Sequence, residues 1–373
     1  MKNPPEKNSQ PQPQTRVLIM AGGTGGHVFP AMAIAKCLQQ EGVIVEWLGT
    51  KRGLESTLVP SAGIPLHYIS VTSWRREGFI KRLLGPFFLL AALYQSLQIL
   101  RQFKPNLVLG MGGFASGPGG IAAWMLGIPL IVHEQNAVAG VTNRILAHFA
   151  KRVLAGFPQG FPKTVKAIWT GNPVRQELSQ VIAPKLRFQD RSGPIRLLIV
   201  GGSQGATALN QLCPKALELI PEARRPEVWH QAGGANQQPT LDLYATAGVK
   251  ARVEPFIEEM GKAYAWADIV LCRAGALTVA ELAAVGVGSI LVPFPFAVDD
   301  HQTHNGRFLE EVGAAKLIQQ KTLDPTKLAE IIIGLSEDRQ ALLKMAEAAR
   351  EVAKPRASEQ VLEHCKEVIG SRC

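Results

Sequence analysis

Cysteine is scarce in this chain and nowhere grouped. Cys37, Cys213, Cys272, Cys365 and Cys373 are five in number and far apart, with no CxxC and no Cys/His cluster. That argues against a structural zinc and reads as reduced thiols in a cytosolic protein. Charged residues are only 19% of the chain against 46% hydrophobic, the balance of a globular protein and not a disordered one. GxGxxG and GxxxxGK[ST] are both missing, and no acidic residue closes a clear second strand to hold a ribose. A nicotinamide or ATP site is therefore disfavoured. No pair of acids flanks a sugar site as a glycosidase requires. Residues Met1 to Thr15, rich in Pro, Gln and Asn, lack the apolar core of a signal peptide and read as a flexible tail.

A glycine-rich turn is what the chain does have, and it has it repeatedly. Val17-Leu18-Ile19-Met20 runs into Ala21-Gly22-Gly23-Thr24-Gly25-Gly26-His27 and then into the apolar-periodic Ala31 to Leu38. A buried strand, a glycine turn and a helix let backbone N–H groups and a helix N-terminus approach a pyrophosphate or a sugar. Arg196-Leu197-Leu198-Ile199-Val200 repeats the unit into Gly201-Gly202-Ser203-Gln204-Gly205-Ala206. Two such units half a chain apart in 373 residues predict an α/β protein of two Rossmann-like lobes facing across a cleft. The net charge of +10 favours an anionic partner without choosing among nucleic acid, membrane and phosphorylated substrate.

Along the first lobe, Val43–Gly49 and Leu66–Ile69 read as strands and Glu55–Val59 as a short helix closed by Pro60. The basic residues Arg75, Arg76, Lys81, Arg82, Arg101 and Lys104 then meet a single acid, Glu77. The charge-free run from Leu83 to Leu100 has the length of a membrane span, but Gly85-Pro86 breaks its start and Gln95, Ser96 and Gln98 load its end. It reads instead as a helix whose Leu90, Leu93, Leu97 and Leu100 dock on the lobe, polar groups outward. Phe79, Ile80, Leu83, Leu84, Phe87 and Phe88 beside the cations would suit an anionic leaflet; ordinary core is the plainer alternative. The basic residues interleave with this patch and not with stacking aromatics, so no nucleic-acid partner is expected. Past the glycine-rich Met111–Gly120, His133-Glu134-Gln135-Asn136 ends a strand at the edge where open α/β sheets bind ligands. Gly171-Asn172-Pro173-Val174-Arg175 reads as the crossing between lobes. The expected division is a tail at 1–15, a first lobe at 16–172, a linker at 173–194, a second lobe at 195–353 and a final segment at 354–373. In the second lobe Arg273 to Glu281 is again strand end, glycine turn and helix. From Lys327 the chain reads as helical to its end.

GGTGGHVFP, GGFASGP, HEQN, GNPVR, GGSQGA, CRAGALTVAE and DDHQTHN, in matching order from about residue 16 to 310, resemble the MurG family of bacterial glycosyltransferases. The chain departs from the family in its tail, at Met111 and Ala115, and at Ala274 and Ala280, where serine is frequent. The resemblance implies the glycosyltransferase B architecture, a donor nucleotide on the second lobe, an acceptor lipid on the first, and a last helix returning to the first lobe. It implies transfer of N-acetylglucosamine from UDP-N-acetylglucosamine to lipid I, giving lipid II with inversion, at the cytoplasmic face of the bacterial inner membrane. Glu281 would take the ribose hydroxyls, Ile257 would present backbone to uracil, and Gln302 would bind the sugar, with Thr24, Gly25, Gly26 and Asn136 facing it from the first lobe.

Charge on the departing UDP would be met by helix N-termini at Ser203 and at Ala276 to Ala280 (Leu277, Thr278 and Val279 between), and by Arg175. His27 is the candidate base, its ordinary pKa lying near neutrality; the competing reading is a histidine that only bonds a pyrophosphate or the backbone. Glu134 is the alternative base, and His133 and His301 read as positional. No DxD-like pair precedes the donor motifs, so neither a metal nor another cofactor is expected. A diacylglycerol glycosyltransferase, a UDP-N-acetylglucosamine 2-epimerase and a non-catalytic nucleotide-binding module are the rival readings.

Overall fold

The computed structural model describes residues 14–71, 85–202 and 205–371. In the first lobe strands and helices alternate: β1 (Arg16–Met20), α1 (Gly25–Gln40), β2 (Ile44–Gly49), α2 (Glu55–Ser61), β3 (Leu66–Tyr68), α3 (Gly85–Phe103), β4 (Leu107–Gly110), α4 (Ser116–Met125), β5 (Leu130–Glu134), α5 (Val141–Leu146), β6 (Arg152–Ala155) and β7 (Ala167–Trp169). Two short helices follow, α6 (Gln176–Ser179) and α7 (Pro184–Gln189). The second lobe begins with β8 (Arg196–Val200), α8 (Thr207–Glu218), β9 (Glu227–Gln231), α9 (Gln237–Thr246), β10 (Arg252–Glu254), α10 (Met260–Trp266), β11 (Ile269–Cys272) and α11 (Ala276–Val285). It ends with β12 (Gly288–Leu291), α12 (His301–Glu310), β13 (Ala315–Leu317), α13 (Pro325–Ser336), α14 (Arg339–Glu351) and α15 (Ala357–Gly370).

The strands form two wholly parallel sheets, ordered β3-β2-β1-β4-β5-β6-β7 and β10-β9-β8-β11-β12-β13. Helices cover both faces, which is why the central strands read as unbroken apolar runs: Val17, Leu18, Ile19 and Met20 are all 0% exposed. Each sheet reverses its winding direction once, between β1 and β4 and between β8 and β11. Those are the switch points where loops after neighbouring strands diverge and leave a crevice. All four loops at the two switch points are the glycine turns that the sequence repeats.

Several expectations need correction. Pro60 lies inside α2, in its last turn, and does not close it. On α3 the buried stripe is Ala92, Ser96, Leu100 and Phe103, while Leu90 is 62% exposed and Leu93 and Leu97 are only half-buried. Small residues at every fourth position let α3 lie close against α4, and Ser96 tolerates burial because its hydroxyl donates to Ala92 O at 2.8 Å. Phe87, Phe88, Leu89, Leu90 and Tyr94 are left exposed. The expected linker at 173–194 carries α6 and α7, whose Leu178 and Phe188 pack into second-lobe core. Edge strand β13 was not anticipated, and the C-terminal region is three helices with breaks at 337–338 and 352–356. The last of them, α15, buries Val361, Cys365 and Val368 in the first-lobe core with Ile34 and Leu38 of α1. Residues 1–13, the cluster Arg75, Arg76, Glu77, Phe79, Ile80, Lys81, Arg82, Leu83 and Leu84, and Ser203 lie outside the described residues.

Candidate active site

The first-lobe half of the site is built on backbone. Gly23 takes φ +91°, and the loops after β1 and β4 pack main chain to main chain: a Cβ at Gly113 would fall 2.3 Å from Gly22 O. Behind them sits Glu55 of α2, 0% exposed. Its Oε2 accepts from Gly23 N at 2.9 Å, and its Oε1 accepts from Thr50 N at 3.0 Å and Thr50 Oγ1 at 2.8 Å. A buried carboxylate thus braces the turn that bears Thr24, Gly25 and Gly26.

His27, in the first turn of α1, is half-buried over Gly112, and its Nδ1 lies 2.8 Å from Gln135 Oε1. Gln135 Nε2 in turn lies 3.1 Å from His133 Nδ1, and His133 Nε2 lies 3.0 Å from Gly171 O. His133 is 0% exposed, and burial pushes its pKa down to about 4. Glu134 is closed off: its Oε1 accepts from Asn136 N and Nδ2 at 2.9 and 3.1 Å, its Oε2 from Gly140 N and Asn143 Nδ2 at 3.1 and 2.9 Å. With both oxygens filled and 1% exposure, it shapes the loop holding Asn136 and is not placed to take a substrate proton.

Across from this surface, a cleft of about 580 Å³ joins both switch points. Thr24 and Gly25 line it from the first lobe; Gly201, Gly202, Gly205, Gly275, Thr278 and Gln302 are among those that line it from the second. Gly275 caps α11 with extended backbone, so the first N–H groups of that helix have no partner within it. Ala276 and Val279 turn their side chains into the core and Leu277 and Ala280 pack partly against it. Glu281, one turn deeper, is 8% exposed; its Oε2 accepts from Tyr264 Oη at 3.1 Å and its Oε1 lies 3.6 Å from Arg175 Nη2. Burial raises the Glu281 pKa, and the Arg175 guanidinium opposes that rise. Ile257 is buried beside β10 with its N–H on Gln231 Oε1 at 3.1 Å. Gln302 Oε1 accepts from Phe294 N at 2.8 Å, which holds the side chain at the cleft wall. His301 donates to Val298 O at 2.7 Å and is half-buried.

Three participants escaped the sequence reading. Arg273 lines the cleft, its Nη1 on Val292 O and Pro293 O at 3.1 and 3.2 Å and its Nη2 on Gln320 Oε1 at 2.7 Å. Asn305, 0% exposed on α12, reaches the other lobe: its Oδ1 accepts from Ala137 N at 2.8 Å and its Nδ2 donates to Asn136 Oδ1 at 3.3 Å. Glu55 is the third. Asn305 and Glu55 act on partners 168 and 32 residues away, a separation no local motif encodes. Among the described residues no group of three His, Cys, Asp or Glu side chains is placed to hold a metal ion.

The glycosyltransferase family 28 N-terminal domain matches residues 17–155, and the glycosyltransferase family 28 C-terminal domain matches residues 196–361. A protein of Nitrosococcus oceani is 52% identical over 355 residues, covering 95% of this chain and 99% of its own length. It is the UDP-N-acetylglucosamine--N-acetylmuramyl-(pentapeptide) pyrophosphoryl-undecaprenol N-acetylglucosamine transferase of that organism. The crystal structure of Acinetobacter baumannii MurG aligns over 95% of this chain and 99% of its own, with 43% identity and a TM-score of 0.84. UDP-GlcNAc 2-epimerase from Neisseria meningitidis covers 95% of this chain and 100% of its own with a TM-score of 0.63 but 15% identity, a likeness of fold alone. Two parallel-sheet lobes meeting at their switch points are the glycosyltransferase B architecture, and with both domains matched in order and half the residues shared with a full-length relative, the chain belongs to glycosyltransferase family 28.

Proposed function

We propose that the chain transfers N-acetylglucosamine from UDP-N-acetylglucosamine to the 4-hydroxyl of N-acetylmuramoyl-pentapeptide on undecaprenyl pyrophosphate, converting lipid I to lipid II with inversion in peptidoglycan synthesis. The observation that carries this is the cleft joining both switch points, on a chain 52% identical to a transferase named for that reaction. In this reading UDP lies on the second lobe, with uracil at the Ile257 backbone, ribose hydroxyls on Glu281 and the sugar on Gln302. Ser203, the N–H groups of Ala276 to Ala280 and Arg175 meet the negative charge that develops on the leaving diphosphate. Thr24, Gly25, Gly26 and Asn136 face the sugar from the first lobe. The acceptor hydroxyl loses its proton to His27 while its oxygen forms the new bond to the anomeric carbon. The old bond to the β-phosphate oxygen breaks with its electron pair on UDP.

The acceptor is a lipid, and the exposed Phe87, Phe88, Leu89, Leu90 and Tyr94 on α3 support peripheral attachment at the cytoplasmic face of the inner membrane, the basic residues Arg75 to Arg82 following an anionic leaflet. No described helix is long and apolar enough to cross a membrane. Transfer of labelled N-acetylglucosamine to a short-chain lipid I analogue tests the reading. Product is expected from the natural chain, with donor binding weakened about tenfold or more in Glu281→Ala and turnover lost with donor binding kept in His27→Ala. Consumption of the donor without transfer to this acceptor would refute the proposal.

A further inference from the structure

Three buried groups behind His27, Gln135, His133 and Gly171, form a single file of hydrogen bonds, and its direction is set by atoms that have no choice. Gly171 O is a carbonyl and only accepts, so His133 Nε2, 3.0 Å away, carries the proton. Burial keeps His133 neutral, which leaves its Nδ1 bare and able only to accept. Gln135 presents one end of its amide to that Nδ1 at 3.1 Å and to His133 O, also at 3.1 Å. Two acceptors against one group make it the amide nitrogen. The other end is then the amide oxygen, and it lies 2.8 Å from His27 Nδ1. An oxygen there demands a hydrogen on Nδ1. The surroundings hold the file in place: Asn172 Nδ2 donates to Gln135 O at 2.9 Å, Asn143 Nδ2 to His133 O at 3.3 Å, and the His27 ring lies against Gly112, where a Cβ would come within 2.8 Å of Nδ1.

We infer that Gln135, itself oriented by His133, fixes His27 in the tautomer with hydrogen on Nδ1 and a bare Nε2, making Gln135 the positioning residue of the proton-accepting step. The inference rests on His27 being the base of the proposed transfer. A free neutral imidazole exchanges between two tautomers; here one is held ready, and Nε2 alone can take the acceptor hydroxyl proton. When it does, the imidazolium keeps its Nδ1–H on an amide oxygen, a dipole and not a charge. The file ends on Gly171, at the crossing between the lobes.

Histidine-selective 15N NMR of the full chain tests this, with the His27 signals identified by their loss in His27→Ala. The expected spectrum shows a protonated Nδ1 and an unprotonated Nε2 for His27 at neutral pH. In Gln135→Leu the preference should vanish and kcat should fall about tenfold to a hundredfold, with KM for UDP-N-acetylglucosamine unchanged. Gln135→Glu, which keeps an acceptor toward His27, should hold the Nδ1–H tautomer and recover kcat above that of Gln135→Leu. A protonated Nε2 in the natural chain, or Gln135→Leu with tautomer and kcat unaltered, overturns the inference. Full turnover in His27→Ala would instead remove the base while leaving the tautomer result standing, so the two failures are separable.

Discussion

His133 and His230 refuse protons that the unfolded chain would accept. Burial lowers their pKa values to about 4 and about 3 from an ordinary 6.5, and His230 is held neutral between Tyr244 Oη at 2.9 Å and Asn210 Oδ1 at 3.0 Å. Below pH 6.5 the unfolded state takes up protons that the native state does not, so stability present above that pH is lost as pH falls toward 4. The expected loss between pH 7 and pH 5 is about 2 kcal/mol for each histidine. Urea midpoints at the two pH values measure it, and His230→Gln should reduce the dependence by about half. Glu55 invites a different test. Three donors lose their acceptor in Glu55→Ala, which should cost about 3 kcal/mol in urea unfolding and loosen the turn at Thr24. The role of Glu55 does not show in the sequence, since it lies on an unremarkable short helix; His133 reads there as positional, but its partner Gly171, 38 residues on, cannot be named from the strand edge. His27 and Glu281 stand out as candidates in the sequence because each lies in a glycine-turn unit, though the role of Glu281 follows only from the family resemblance.

Helix α3 shows how an element can be found and yet rotated. Its leucines offer a plausible stripe at 90, 93, 97 and 100, but burial follows Ala92 and Ser96, since close approach to α4 needs small residues. Hydrophobic periodicity weighs side chains by apolarity and is blind to closeness of packing. The consequence is a row of large apolar side chains turned outward. Each exposed phenylalanine that entered a bilayer would contribute about 2 kcal/mol, so Phe87→Ser with Phe88→Ser should lower retention on anionic vesicles at least tenfold. Turnover with a water-soluble acceptor should not change. Co-sedimentation with the vesicles beside a solution assay distinguishes that from general damage. The strands were easier to recognise, because double-sided burial leaves an unbroken apolar run bounded by glycine; β13, three residues at a sheet edge with Lys316 exposed, carries no such mark.

At the scale of the molecule, the lobes touch through Phe308 against Phe157 and Trp169 and through Asn305 against the loop after β5. Asn305→Ala leaves Ala137 N without its acceptor and removes the donor to Asn136 Oδ1. An expected tenfold fall in kcat/KM, with UDP affinity of the second lobe retained, follows from an orphaned donor worth about 1–3 kcal/mol. Small-angle scattering of the ligand-free variant should report a larger mean separation of the lobes. The twofold architecture could be read from repeated glycine turns, whereas contacts between the lobes could not, since they pair residues from opposite halves. The return of α15 to α1 reaches further than geometry. Val361, Cys365 and Val368 complete a core whose other members are made at the start of synthesis. The first lobe to leave the ribosome is therefore the last to be finished: it waits, with Ile34 and Leu38 uncovered, until the whole second lobe has been translated.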